Sequence, residues 1–97
     1  MVMRVEVTEV YREWIRDLQD RAGRARVLVR VDQFAHGSPG QQRKLSDGVR
    51  ELKIDFGPGY RVYHTERGGA LIVLLAGGDK STQPKDIKAA IDLAKNL

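Results

Sequence analysis

No cysteine occurs in this chain, which excludes both a disulfide framework and a thiolate metal site. The two histidines, His36 and His64, stand too far apart in sequence to build a zinc site alone, so no metal and no cofactor are expected. Aromatics are scarce at 6%, proline occurs three times, and no low-complexity tract or internal repeat breaks the chain. No apolar run approaches the ~20 residues needed to span a bilayer. The opening MVMRVEVTEV lacks the apolar core of a secretory signal. A cytoplasmic protein without membrane contact is expected, folded as a single domain over residues 1–97. At that length a fold buries roughly 65% of its unfolded surface, enough for one core.

What is present is ordinary in hydrophobic content, 41%, but basic in balance. Seventeen Lys+Arg against thirteen Asp+Glu leave +4. Most of those cations are arginine, whose planar fork matches phosphate and carboxylate. Such an excess suits RNA, DNA or an acidic protein segment as partner.

Along the chain, residues 2–7 alternate apolar and polar as a short strand does. Thr8 is placed to cap a helix over 9–20, in which Val10, Tyr11, Trp14, Ile15 and Leu18 recur at helical spacing. Gly23 breaks that pattern. A second helix then runs to His36, with Val27, Leu28, Val31, Phe34 and Ala35 as its buried stripe and Gly37 just past its end. The two form a helical hairpin. GSPGQQRKLSDG, 37–48, has loop composition. Three strands follow: VRELKIDF, YRVYHTE and the fully apolar ALIVLLA, the last expected in the sheet interior with both faces covered. Ser81 or Thr82 starts a final helix whose stripe is Ile87, Ala90, Ile91 and Ala94. The order β-α-α-β-β-β-α predicts an α+β fold, a small, largely antiparallel sheet backed by the helical hairpin and a short C-terminal helix.

The hairpin at Gly57-Pro58-Gly59 orients the site. With those three residues as the loop, Phe56 pairs with Tyr60, Ile54 with Val62, Lys53 with Tyr63, and Asp55 with Arg61. Ile54 and Val62 face the core, so Arg61, Tyr63 and Lys53 emerge together on the other face, with Leu74 and Ala76 beside them.

The runs GVRELKIDFGPGYRVY and LIVLLAGGDKSTQ, followed by a short helix, resemble the RelE/ParE superfamily of bacterial toxins. The resemblance is nearest to the HigB-like branch of addiction module killer proteins, and it covers nearly the whole chain. It implies the toxin of a type II toxin–antitoxin system, a metal-independent, ribosome-dependent mRNA endonuclease (mRNA interferase). The implied partners are mRNA, the ribosome and a cognate helix-turn-helix antitoxin, with which it would form a hetero-oligomer. Two other readings stay open: a ParE-like gyrase inhibitor without nuclease chemistry, and an inactive antitoxin-binding relic. By the same resemblance Arg61 holds the scissile phosphate, Lys53 is the basic residue of the preceding strand, and Lys80 is the basic residue after the last strand. Arg50 lies at the edge of the motif. Several nuclease members carry a tyrosine or histidine early in the last helix, where this chain reads Gln83-Pro84-Lys85-Asp86-Ile87.

RNA cleavage through the 2′-hydroxyl needs a base, cationic donors for the phosphorane and an acid for the leaving oxygen. Arg61, Lys53 and Lys80 are the candidate donors, and Tyr63 the candidate that stacks on a base or gives a proton. The plain alternatives are an exposed Arg61–Asp55 ion pair, a tyrosine covering a sheet face and solvated lysines. Arg24, Arg26 and Arg30, with Arg50, form the candidate RNA-phosphate surface, or else a solvated helix face. His64 shares the core side with Val62 and reads as a satisfied structural histidine; His36 sits at a helix end where a positive charge suits the dipole. Gly77-Gly78 lacks the Gly-Lys-Ser/Thr spacing of a P-loop.

Overall fold

The computed structural model describes residues 2–97. Its elements are β1 (Arg4–Val7), α1 (Glu9–Asp17), α2 (Arg21–Ala35), β2 (Gln42–Lys44), β3 (Arg50–Ile54), β4 (Tyr60–Arg67), β5 (Leu71–Asp79), a 3-10 turn (Lys80–Thr82) and α3 (Gln83–Lys95). The five strands form one sheet in the order β1-β5-β4-β3-β2. Only β1 on β5 is parallel; the other pairs are antiparallel. The expected α+β layout is present, with one strand more than expected. Gln42, Arg43 and Lys44, read as loop, pair with Leu52, Glu51 and Arg50 as a short edge strand. Polar composition hid it, because a three-residue edge strand needs no apolar face.

The sheet separates two cores, where the sequence suggested one. On one face α1 and α2 bring Tyr11, Val27, Phe34 and Ala35 onto Leu52, Ile54, Tyr60, Val62, Ile72 and Leu74. On the other, Ala90 and Ala94 of α3 close over Tyr63, Val73, Leu75 and Ala76. Every residue of β5 from Ile72 to Gly78 is buried, as the apolar run predicted. The consecutive Leu75 and Ala76 both face α3. A bulge makes this possible: Tyr63 pairs with Ala76 and His64 with Leu74, which breaks the two-residue alternation. Leu74 therefore falls on the α1/α2 side, and only Ala76 lies beside Tyr63.

The helix starts show how local chemistry overrode pattern. The Thr8 hydroxyl accepts from Tyr11 N at 3.1 Å and caps α1, as expected. That helix stops at Asp17, a turn earlier than the apolar spacing suggested. Gly23 does not break a helix but sits in the first turn of α2. The Asp20 carboxylate accepts from Gly23 N at 2.9 Å and from the Tyr60 hydroxyl at 2.6 Å, so the helix begins at Arg21. A side chain on Gly23 would run into the Tyr60 ring. Leu28, assigned to the buried stripe, is half exposed, while Val27, Phe34 and Ala35 are buried. Gly37 ends α2 with φ +96°, as a residue in that position should.

His64 lies on the core side, fully buried, its ring 4.7 Å from that of Phe34. It is not satisfied: neither ring nitrogen has a hydrogen-bond partner among the described residues. Burial first, and then the Arg50 charge, lower its pKa to about 4. Above about pH 6.5 the imidazole is neutral in both folded and unfolded chains. Between there and pH 4 the unfolded chain takes up a proton that the folded protein refuses, so stability falls as pH falls, by roughly 3 kcal/mol at most. Urea melts at pH 7 and pH 4.5 should show this loss in the native protein and a much smaller one in His64→Leu. Equal losses in the two proteins would place the acid lability elsewhere.

Candidate functional site

The loop joining β3 to β4 is longer than the glycines suggested. Ile54 pairs with Tyr60, Lys53 with Arg61, Leu52 with Val62 and Glu51 with Tyr63, leaving residues 55–59 as the turn. Phe56 N donates to Ile54 O at 2.9 Å and Gly59 N to Phe56 O at 3.0 Å, which closes the wider loop. The register is displaced by two residues from expectation. A displacement of two preserves the faces but changes every partner. Arg61 and Tyr63 thus remain on the predicted side, but Asp55 is left in the loop and the Asp55–Arg61 pair does not exist.

Arg61 is buried, 4% exposed, and its guanidinium is divided among distinct tasks. Nη1 donates to the carbonyls of Gly59 at 2.9 Å and Tyr60 at 3.0 Å. Nε faces Glu51 Oε1 at 3.7 Å, beyond hydrogen-bond length. Nη2 has no partner among the described residues and is not among the atoms sealed from solvent. Its cross-strand neighbour on β5 is Gly78, whose missing side chain leaves room above the guanidinium. Asp86, from the first turn of α3, fills part of that room: its carboxylate lies against Gly78 and accepts from the Thr82 hydroxyl at 2.5 Å.

Lys80 comes to Arg61 across Gly59. A methyl group on Gly59 would meet Lys80 Cε at 3.1 Å and Arg61 Nη1 at 3.3 Å, so the two cationic side chains pack over that glycine. The Asp79 carboxylate sets the start of the 3-10 turn that carries Lys80, accepting from Ser81 N at 2.8 Å. Lys53 stands directly opposite Arg61 on β3 and is exposed. The three predicted donors therefore share one side of the sheet. Tyr63 is with them but fully buried, so it offers no ring face to solvent. Its hydroxyl has no hydrogen-bond partner among the described residues; burial, then the Glu51 carboxylate, then Asp86 push its pKa well above the usual phenol range.

Two acidic residues that sequence reasoning passed over sit among these groups. Glu51 was assigned only to the strand face of Lys53, yet it is 1% exposed. Its Oε2 accepts from Gln83 Nε2 at 2.7 Å and from Arg43 Nη2 at 3.2 Å. Asp86 is the other. The available signal was weak: a carboxylate in a strand reads as solvated until a helix is known to cover it.

The remaining predicted cations lie apart. Arg50 shares its strand face with Leu52 and Ile54, so it points to the α1/α2 side, away from Arg61. On α2, Arg24 reaches the Arg16 carbonyl at 3.4 Å, and Arg30 is held by Gln33 at 2.9 Å and the Ser38 carbonyl at 2.6 Å. Arg26 lies over the Phe56 ring, 4.7 Å from its centroid. Arg26 and Arg30 border a recess of about 230 Å³ whose other walls include Lys53, Asp55 and Phe56. Lys53 thus belongs to both groups, joining the α2 arginines to the Arg61–Lys80 pair. Among the described residues no cluster of His, Asp or Glu is arranged to hold a metal.

A five-stranded sheet with one parallel edge and helices on both faces is also found among solved structures. A mutant of the E. coli toxin RelE, solved in the free state, superposes with a TM-score of 0.67 over 91% of this chain and 97% of that one. At 16% identity the likeness concerns the fold alone. Sequence gives the family: the profile described as "Phage derived protein Gp49-like" matches residues 13–97. An uncharacterized protein of Haemophilus influenzae is 40% identical over 97 residues, which span all of this chain and 98% of that protein. This chain is a member of the phage-derived Gp49-like family.

Gly59 combines φ +83° with the close approach of Lys80 and Arg61, whereas Gly68 has φ +63° and open space around it. Gly68→Ala should cost about 1 kcal/mol from backbone strain alone. Gly59→Ala should cost more, because Lys80 must also move. Paired denaturant melts check the order; equal losses would mean that Lys80 does not rest on Gly59.

Proposed function

We propose that this protein is the toxin of a type II toxin–antitoxin module, of the HigB-like kind, and that it cuts mRNA on the translating ribosome. The observation that carries the reading is the Arg61–Lys80 pair packed over Gly59, with Nη2 of Arg61 the one guanidinium nitrogen left for a ligand. In this mechanism Arg61 Nη2 and Lys80 Nζ donate to the non-bridging oxygens of the scissile phosphate. Lys53 neutralises an adjoining phosphate from the exposed side. As the 2′-hydroxyl attacks, negative charge grows on the phosphorane at these donors, which is the usual source of the largest rate gain. The bond to the 5′-oxygen then breaks, and that oxygen takes its proton from water. Asp86, half exposed above Gly78, is the carboxylate suited to take the 2′-hydroxyl proton. Tyr63 is too deeply buried to stack on a base, and its role is to support Glu51 from below. Arg26 and Arg30 continue the cationic track to RNA phosphates beyond the cut, a contact that weakens with salt.

The family suggests an antitoxin partner, here a cognate helix-turn-helix protein that covers the cationic side in a hetero-oligomer. One observation favours the ParE-like reading instead. Gln83 occupies the start of α3 and is spent on Glu51, so no histidine or tyrosine stands ready as a general acid there. Gyrase binding without chemistry would need none.

Induction of the protein alone should arrest growth, and co-expression of its neighbouring gene should restore it. Primer extension on mRNA from induced cells should find new 5′ ends inside translated codons, absent when initiation is blocked. Intact transcripts together with gyrase-linked DNA breaks would transfer the assignment to the ParE-like reading. Arg61→Ala should lower cleavage about 10²–10³-fold in a folded protein. Arg61→Lys should recover little, since it lacks both the Nη1 anchors and the Nε edge that faces Glu51. Asp55→Ala should leave cleavage unchanged, because Asp55 lies in the loop. An Arg61→Ala protein that folds and still kills like the native one would sink the assignment.

A further inference from the structure

We propose that Glu51 is the positioning residue of this site: anchored on one oxygen by Arg43 and Gln83, it turns the other to Arg61 Nε and thereby sets the orientation in which the guanidinium meets the ligand. The inference rests on the reading of Arg61 as the phosphate donor and extends it to a residue outside the reacting groups.

The two oxygens of Glu51 are used unequally. Oε2 carries both strong contacts, Gln83 Nε2 at 2.7 Å from the first residue of α3 and Arg43 Nη2 at 3.2 Å from the edge strand β2. Oε1 has only Arg61 Nε, at 3.7 Å. Meanwhile two donors that face this carboxylate are sealed from solvent with no hydrogen-bond partner among the described residues: Arg61 Nε and the Tyr63 hydroxyl, the latter on the residue directly opposite Glu51 in the ladder. Unpaired buried donors beside an underused acceptor are the exception in folded proteins. A shift of less than 1 Å by the Arg61 side chain would bring Nε within hydrogen-bond range of Oε1. The guanidinium is one rigid plane, so an anion that pulls on Nη2 also moves Nε, and the 3.7 Å contact with Glu51 takes its final length only with ligand bound. Catalytic hydrogen bonds are often long in the free enzyme for this reason.

The division of labour then follows from the planarity of the guanidinium. Nη1 is fastened to the carbonyls of Gly59 and Tyr60, and Nε is turned towards Glu51, so the guanidinium plane cannot swing away from this orientation without losing both contacts. Glu51 also ties three parts of the chain to this one geometry: β2 through Arg43, β4 through Arg61, and α3 through Gln83. The competing account is that Glu51 serves only its cross-strand partner Arg43, with which it is paired in the β2–β3 ladder. The two accounts differ in whether Arg61 responds when Glu51 loses its charge.

The test is Glu51→Gln, which keeps shape and size but removes the charge, alone and combined with Arg61→Lys. Its first readout is the Arg61 Nε–H resonance in 15N-arginine-labelled protein, identified by its absence from Arg61→Lys. We expect that signal to shift and exchange faster in Glu51→Gln while the thermal melt stays cooperative. The second readout is single-turnover mRNA cleavage on programmed ribosomes. The rate should fall about 10–100-fold, the range typical of residues that orient a ligand-contacting group, with the concentration dependence little changed. Added to Arg61→Lys, Glu51→Gln should lower the rate no further, because it acts through Arg61. An unmoved Arg61 resonance, or losses that multiply in the double variant, overturns the proposal. Should Glu51→Gln not fold, Gln83→Leu loosens the same carboxylate without removing a charge; a smaller shift of the Arg61 signal supports the proposal and no shift defeats it. If the native protein cuts no mRNA, the nuclease reading fails, and the resonance alone then decides whether Glu51 positions Arg61.

Discussion

Two adjacent glycines in the most buried strand set the spacing of the whole molecule. Gly77 and Gly78 point to opposite faces of β5, and each is occupied from outside by another element. The Trp14 ring of α1 lies against Gly77, where any side chain would displace it, and the Asp86 carboxylate of α3 lies against Gly78. Both helical layers thus approach the sheet backbone itself. Trp14 is then close enough to meet Tyr11 and Tyr60, with ring centroids 5.8 and 6.3 Å away. On the opposite face the start of α3 is brought down onto Arg61 and Glu51. Both layers are seated on an absence of side chains in the middle of the sheet.

From that spacing follows the separation of charges. Cations that project beyond the sheet, Lys53 and Lys80, remain exposed, while the one beneath α3, Arg61, is enclosed with a carboxylate of its own. An enclosed charge interacts more strongly with a neighbour than a solvated one does, because water no longer screens it. Arg61 therefore acts at short range, its charge partly offset by Glu51, while the exposed lysines carry the positive charge outward. The α2 arginines contribute at longer range. Arg26 is partly engaged by Phe56, and Arg30 by the Ser38 carbonyl.

Much of this was legible in the sequence, and the limits have physical causes. The capping of α1 by Thr8, the interior position of the ALIVLLA strand and the sidedness of Arg61 and Tyr63 all follow from short-range periodicity. Strand sidedness survived even an error in register, because displacement by two keeps parity. What periodicity could not supply was loop length at DFGPG, the Leu75–Ala76 bulge, or the edge strand at Gln42, each decided by hydrogen bonds rather than by hydrophobicity. Gly23 misled for a related reason: a glycine that admits the Tyr60 ring looks, in sequence, like one that ends a helix. Glu51 was missed because its burial depends on α3, an element that begins 32 residues away and covers a face the local sequence presents as polar.

Arg61 is tied to the carbonyls of its own turn before any ligand arrives. A free arginine side chain carries about 2 kcal/mol of rotamer entropy, and a partner that must order it bears that cost at the moment of association. Here the ordering has been completed during folding, as part of closing the hairpin. Were an anion to bind at Nη2 as proposed, its affinity would be partly a property of the turn Asp55–Gly59, and a change in the length of that turn would be felt as weaker binding with no ligand contact altered.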